Sequence, residues 1–301
     1  MNILITGGLG YIGTELCKLY ENSDHKVVVL DKKFVPSSVR NLKKQDIKFF
    51  EGSITNEELV SKFLRDVDVV YHLAGITNVA YVSSEENEKL EREIVDVGIN
   101  GTNNIINNMD KKTKLIFPST HVVFEGYENT VFNLKESAEK KSKLAYSNVK
   151  NKNEEDIIRN VENYVILRLG SVYGFNKNMR INIMPNLFSK ITSQNRTIKL
   201  FGGGRQHKSL VSVRDVARCM KFMAENQINK EIFHLSNENL TVKEVAEICN
   251  RIKPINIVET KDEVPNLGYT LDNSKLLFRG FKFENDIESE ITNMIKRWDF
   301  Y

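Results

Sequence analysis

Apolar residues in this chain gather in short, almost uninterrupted runs, and most runs give way to a polar stretch with apolar positions at helical spacing. The runs are NILIT at 2–6, KVVVLD at 26–31, IKFFEG at 47–52, DVVYHLAG at 68–75, KLIFPST at 114–120 and YVILRLG at 164–170. Helices are predicted over 11–22, 55–65, 87–109 and 140–161, whereas the residues after KVVVLD read as a loop. Strands that alternate with helices predict an α/β fold, a parallel sheet with helices on both faces. Runs with so few polar interruptions suit strands buried on both sides. After Gly174 the rhythm loosens into a helix around 181–194, the segment IKLFGGG at 198–204, a helix from about 213, a strand EIFHLS at 231–236 and a helix from Thr241. The expected division is a doubly wound domain over 1–173 and a smaller C-terminal α/β substrate-binding lobe over 174–301, with some segments returning to the first domain. No repeat or Pro/Gly linker separates them, so a ligand cleft between the lobes is expected.

Composition narrows the function. With 301 residues and 41% hydrophobic positions the chain can bury a substantial core. A formal net charge of +3, spread along the chain, gives no concentrated basic footprint, so no nucleic-acid partner is expected. Cys17, Cys219 and Cys249 are far apart and without CxxC spacing, which predicts buried, inert thiols in a reducing compartment, neither disulfides nor a metal site. The N-terminus shows no basic segment before a long apolar stretch, and no later stretch reaches membrane-spanning length. A cytoplasmic protein without a membrane partner is the expectation.

The first apolar run ends in TGGLGYIG, with Gly7, Gly10 and Gly13 spaced GxxGxxG between a strand and a helix. Glycines there permit a tight turn and let a pyrophosphate approach the helix N-terminus, where free N–H groups and the helix dipole favour an anion. Asp31, at the end of the second strand, can accept hydrogen bonds from an adenosine ribose and would repel a 2′-phosphate. The context therefore predicts a Rossmann-type domain that binds NAD, with Lys32 and Lys33 softening the preference over NADP.

Tyr146 and Lys150 lie one helical turn apart in KLAYSNVKNKNEE, on one face of a predicted helix. Ten tyrosines in a lysine-rich chain give roughly one such spacing by chance, and Tyr173 with Lys177 forms a second. Position separates the two, because Tyr173 precedes Gly174 at a strand end where no helix aligns it with Lys177. A phenol needs nearby positive charge to act as a base near neutrality, and Lys150 can supply it to Tyr146.

Together TGGLGYIG, Asp31, HLAG at 72–75, PST at 118–120, Tyr146 with Lys150, and LRLGSVYG at 167–174 resemble the extended short-chain dehydrogenase/reductases, in their NAD-dependent nucleotide-sugar epimerase/dehydratase branch. The likeness continues through KLFGGGRQHKSLVSVRDVA, FHLSNENLTVKEVAE and LDNSKLLFRGFKF in family order. The resemblance implies that Thr120 hydrogen-bonds the reacting sugar hydroxyl, that Tyr146 takes its proton, and that Lys150 binds the nicotinamide ribose and lowers the phenol's pKa. It places Gly7, Gly10, Tyr11, Ile12, Asp31, Ser53, Ile54, Leu73, Ala74 and Gly75 around the cofactor, beside Tyr146 and Lys150. His121 falls next to the substrate, and His72 at a structural or cofactor-lining position. The resemblance also implies a homodimer with a four-helix interface built from 87–109 and 140–161.

Three departures stand out. Ser171 occupies a place where the family often has asparagine facing the nucleotide diphosphate. Lys208 falls where an arginine usually meets phosphate, with Arg205 or Arg214 as substitutes. In VGINGTNN, alignment of Gly101 and Thr102 with the family's NVxGT puts Gly98 where an active-site asparagine is expected. Asn100 cannot simply replace it, since two helical positions rotate a side chain by roughly 200°. Either the helix is locally shifted or the proton network is altered.

Dehydratases of this family carry an Asp-Glu pair directly after the catalytic threonine, and this chain has His121 and Val122 there. Water elimination is therefore disfavoured, as is decarboxylation of a glucuronate. An epimerase acting at C4 by transient hydride transfer through a keto-sugar is the expected activity. A 4-keto-sugar reductase is the nearest alternative, and a non-catalytic NAD-binding sensor or scaffold is the alternative of another class.

Overall fold

The computed structural model describes residues 1–77, 85–263 and 267–298. In chain order the elements begin β1 (Asn2–Thr6), α1 (Tyr11–Lys18), β2 (Lys26–Asp31), α2 (Pro36–Lys44), β3 (Lys48–Glu51), α3 (Glu57–Phe63), β4 (Val69–His72) and α4 (Glu85–Val95). A π-helical turn, Asp96–Asn100, joins α4 to α5 (Gly101–Asn108), followed by β5 (Lys114–Thr120), a 3-10 turn (His121–Phe124), β6 (Val131–Leu134), α6 (Ala145–Asn160) and β7 (Tyr164–Leu169). The remainder is β8 (Ser171–Tyr173), α7 (Met184–Ser193), β9 (Ile198–Leu200), β10 (His207–Ser212), α8 (Val213–Glu225), β11 (Glu231–Leu235), β12 (Glu238–Thr241), α9 (Val242–Ile252), β13 (Ile257–Glu259), β14 (Tyr269–Leu271), α10 (Ser274–Phe278) and α11 (Ile287–Trp298).

Two compact units divide these elements. The first comprises Met1–Val123, Lys140–Arg168 and Ala217–Phe233. Its sheet has seven strands in the order β11-β7-β5-β4-β1-β2-β3, with β1 paired in parallel to both β2 and β4. The six apolar runs noted in the sequence supply β1, β2, β3, β4, β5 and β7. Leu4, Val70, Leu115 and Ile166 meet Ile105 and Ile157 in its main core, so the central strands are covered by α5 and α6.

One local expectation fails here. The stretch after β2 is not a loop but the helix α2, opened by Pro36 at its first position. Only Ser38 and Leu42 of its nine residues are buried, so its apolar periodicity is too thin to show in the sequence.

The second unit comprises Phe124–Glu139, Leu169–Val216 and His234–Tyr301. It carries a three-stranded sheet, β12-β10-β8, and the two-stranded pairs β13-β9 and β14-β6. Tyr173, Phe188, Leu200, Leu210, Val245 and Ile291 meet in its own core. All three cysteines are buried, and burial pushes the Cys17 and Cys249 thiols up to about 12. Among the described residues no helix is long and apolar enough to cross a membrane.

Candidate active site

In the first unit, the anticipated cofactor residues stand at the carboxyl ends of parallel strands, where open α/β sheets bind ligands. Gly7 follows β1, Asp31 closes β2, Ser53 and Ile54 follow β3, and Leu73, Ala74 and Gly75 follow β4. Gly10 caps α1 without a side-chain acceptor, no acidic residue occupies the first turn, and Tyr11 and Ile12 open the helix. Gly7 has φ +70°, and a Cβ there would lie 2.7 Å from the backbone nitrogen of Ala74. A Cβ on Gly13 would lie 2.6 Å from Gly8 Cα, so the helix start packs directly on the turn. This bare, left-handed turn at an uncapped helix start fits a pyrophosphate.

Asp31 makes contacts that its place in the sequence does not disclose. Its Oδ2 accepts from Leu9 N at 3.0 Å and its Oδ1 from Lys33 N at 3.0 Å. The carboxylate thus pins the glycine turn to the end of β2. Beside it, Asn104 of α5 donates to the Ile54 carbonyl at 3.0 Å, and Ser53 Oγ lies 2.8 Å from Thr55 Oγ1.

His72 lies in the interior. Its Nδ1 is 2.8 Å from Thr6 Oγ1 and its Nε2 is 3.0 Å from Thr102 Oγ1, joining β1, β4 and α5. Burial, with the Lys150 charge in support, pushes its pKa down to about 3. A neutral, fully engaged imidazole is a structural crosslink and not a proton carrier at neutral pH.

Thr120 is the last residue of β5, buried, and its Oγ1 accepts from Val122 N at 3.1 Å. His121 opens the 3-10 turn that follows. Tyr146 and Lys150 lie on α6, whose first turn is fastened by Ser147: its Oγ donates to the Leu144 carbonyl at 2.9 Å and accepts from Leu144 N at 3.2 Å. Lys150 Nζ donates to the Pro118 carbonyl at 2.7 Å and stands 4.3 Å from the centre of the Phe117 ring. Burial pushes its ammonium down to about 8, against the opposing pull of the Glu154 carboxylate. Thr120, Tyr146 and Lys150 are therefore carried by adjacent β5 and α6, with a cation held just above neutral pH beside the phenol's helix face.

The second YxxxK cannot work this way. Tyr173 is fully buried, donates to Glu238 Oε2 at 3.1 Å, and burial together with the acidic neighbour pushes its phenol far up. Lys177 lies in a turn, not a helix.

At Gly98 the helix is locally shifted, by the π turn at Asp96–Asn100. A Cβ on Gly98 would come within 2.3 Å of Val149 Cγ1, on α6 next to Lys150. Asn100 turns away and donates to Asp96 Oδ1 at 2.8 Å on the exposed side. An asparagine side chain at 98 is thus excluded by the valine that fills its place.

Residues that the sequence reading passed over surround the base of this face. Glu154, one turn beyond Lys150, is fully buried and receives Ser119 Oγ at 2.5 Å, Arg168 Nη2 at 2.8 Å and Lys140 Nζ at 3.3 Å. The signal available was the repeat of the Tyr146, Lys150, Glu154 spacing, which puts a third ionisable group on the same helix face.

Ser171, Arg205 and Lys208 belong to the second unit. Ser171 starts β8 in register with Leu210, and Lys208 sits on β10, where burial pushes its ammonium down. Arg205 is exposed and donates from Nε to the Gly202 carbonyl at 3.2 Å. Arg214 is already committed to Glu290, at 3.1 Å.

The family model described as NAD dependent epimerase/dehydratase matches residues 3–236. The chain belongs to the NAD-dependent epimerase/dehydratase family. It is 28% identical over 306 residues to a putative UDP-glucose 4-epimerase of Methanocaldococcus jannaschii, covering 97% of each chain. It is 27% identical to a dTDP-D-glucose 4,6-dehydratase of Dictyostelium discoideum, covering 71% of this chain but only 53% of that relative. In fold it is similar to the crystal structure of UDP-glucuronic acid 4-epimerase from Bacillus cereus in complex with UDP-glucuronic acid and NAD, with a TM-score of 0.82 at 23% identity and 99% of both chains covered. The NAD-dependent epimerase/dehydratase family spans more than one reaction, so the choice among them rests on residues of this chain.

Proposed function

We propose that this protein is a nucleotide-sugar 4-epimerase. The observation that carries this reading is the Thr120, Tyr146 and Lys150 arrangement on β5 and α6, followed by His121 and Val122 instead of an acidic pair. NAD, held by Gly7, Gly10, Tyr11, Ile12, Asp31, Ser53, Ile54, Leu73, Ala74 and Gly75, supplies a hydride acceptor that can return the hydride. Thr120 orients the C4 hydroxyl, Tyr146 removes its proton as the carbonyl forms and restores it on the return step, and Lys150 holds positive charge near the phenol. The Asp-Glu pair that serves water elimination in the family's dehydratases does not follow Thr120.

His121 is proposed to line the sugar, and Ser171, Arg205 and Lys208 to contact the nucleotide diphosphate. We also propose a homodimer through α4 and α6, supported by the exposed Val95 and Ile158 on those helices, and a cytoplasmic location, which suits three buried thiols. The test is incubation of the purified protein with UDP-, GDP-, CDP- and dTDP-sugars and NAD, with products read by NMR and mass. An isomer of unchanged mass supports the epimerase and names its sugar. Loss of water would make it a dehydratase, while turnover of keto-sugars alone would make it a reductase.

A further inference from the structure

We propose that Glu154 is a positioning residue for the Tyr146–Lys150 dyad: it ties α6 to β5 through Ser119 and supplies the buried negative charge that offsets burial of the Lys150 ammonium. The inference rests on the epimerase reading only for the role of the dyad, not for the geometry.

Glu154 has no access to solvent, yet both carboxylate oxygens are fully used. Oε1 accepts from Ser119 Oγ at 2.5 Å and Arg168 Nε at 3.0 Å. Oε2 accepts from Arg168 Nη2 at 2.8 Å and Lys140 Nζ at 3.3 Å. Four places in the chain converge on one carboxylate: β5 at Ser119, α6 itself, β7 at Arg168, and the segment before α6 at Lys140. Ser119 is flanked by Pro118, whose carbonyl takes the Lys150 ammonium, and by Thr120. A change in the Glu154–Ser119 distance therefore moves Thr120 relative to Tyr146 and Lys150, and rate falls steeply when reacting groups are misplaced.

The charges add a second effect. Lys150 is met by the Pro118 carbonyl and Phe117 ring on β5, by the charge-neutral His72 on β4, and by the Glu154 charge one turn on along its own helix, with Tyr146 one turn before it. Glu154 is the only anion named in that set, and Arg168 and Lys140 on its far side are cations. Burial pushes the Glu154 carboxyl up, but the Arg168 bonds and charge, the Lys140 charge and the Ser119 bond together hold it below the usual carboxylate range. Its hydrogen bonds and cationic neighbours therefore favour the ionised carboxylate. If its charge is removed, three cations share one region, and the buried Lys150 ammonium, already pushed down by desolvation, loses the anion that opposes that push.

The test uses the full-length protein with lysine labelled at Cε and Nζ, the Lys150 signal being assigned with Lys150→Arg. Glu154→Gln keeps the side-chain volume and removes the charge. The Lys150 titration is expected to move to lower pH by roughly one unit, with the alkaline limb of the kcat profile moving alongside it. A titration and pH profile that overlie the wild type, with only a lowered Tm, would overturn the proposal. Should Glu154→Gln fail to fold, Glu154→Asp keeps the charge but withdraws it from Ser119. It should lower kcat about tenfold or more with the Lys150 titration unmoved, and an unchanged kcat would again overturn the proposal. The lysine titration needs no substrate, so a wild-type protein that converts no nucleotide sugar would sink the epimerase reading and leave the Glu154 question still decided.

Discussion

The glycine turn at residues 7–13 and the face formed by β5 and α6 belong to the same sheet, but they are made by different physics. At the turn, the proposed cofactor site depends on what is missing: no side chain at Gly7, no side-chain cap at Gly10, and a left-handed backbone that favours glycine. At the α6 face, the proposed chemistry depends on charges placed where water is excluded, with Lys150 and Glu154 each hydrogen-bonded to neighbouring elements. The turn is a local object that a short motif specifies. The charged face is an assembly whose members come from residues 117 to 168.

The comparison can be broken most sharply at the α6 face. Tyr146→Phe is expected to fold and bind NAD as the wild type does, while kcat falls about a thousandfold, because only the proton-transfer group is lost. Binding by calorimetry and turnover of the substrate found in the panel would check this, and near-normal turnover would remove Tyr146 as the base. At the turn the expected damage is structural. Gly7→Ala must place a methyl 2.7 Å from the Ala74 nitrogen at φ +70°, and the loss of stability in urea should be on the order of 3 kcal/mol, with NAD binding lost alongside.

His72 sharpens the contrast from between the two regions. Its pKa falls from about 6.5 in the unfolded chain to about 3 in the fold, so between those values the unfolded state binds the extra proton. Stability is therefore complete above about pH 6.5 and is lost as pH falls towards 3. Lowering the pH from 6.5 to 5 should cost about 2 kcal/mol from this group alone. Urea midpoints across that range check it, with His72→Asn expected to flatten the slope. The smallest effect belongs to Asp31→Ala. It should weaken NAD about tenfold, both by loss of the ribose acceptor and by release of Leu9 N, while the ratio of NADP to NAD affinity rises. Equal wild-type affinity for both cofactors would remove that argument.

Much of this was legible along the chain. The six apolar runs became six strands of the main sheet: central strands buried on both faces must be apolar throughout, whereas the run at β3 forms an edge strand whose residues stay largely exposed. Tyr146 and Lys150 were separable from Tyr173 and Lys177 because helix spacing is local, and the burial of Tyr173 against Glu238 agrees with that choice. Glu154 escaped notice because an i+4 glutamate on a helix is ordinarily a solvated residue, and only Arg168 and Ser119 make it a buried one. Helix α2 was missed because it buries too few side chains to leave a pattern.

By itself, then, the sequence determined the α/β class, the family, the glycine turn and the helix that carries Tyr146 and Lys150, since each depends on residues near one another in the chain. Tertiary structure alone decided that β11 returns to the edge of the main sheet beside β7, that the helix before Gly101 widens into a π turn with Val149 standing against Gly98, and that one buried carboxylate gathers Ser119, Lys140 and Arg168. Those outcomes depend on which distant side chains compete for the same volume and charge, and no spacing along the chain records that competition.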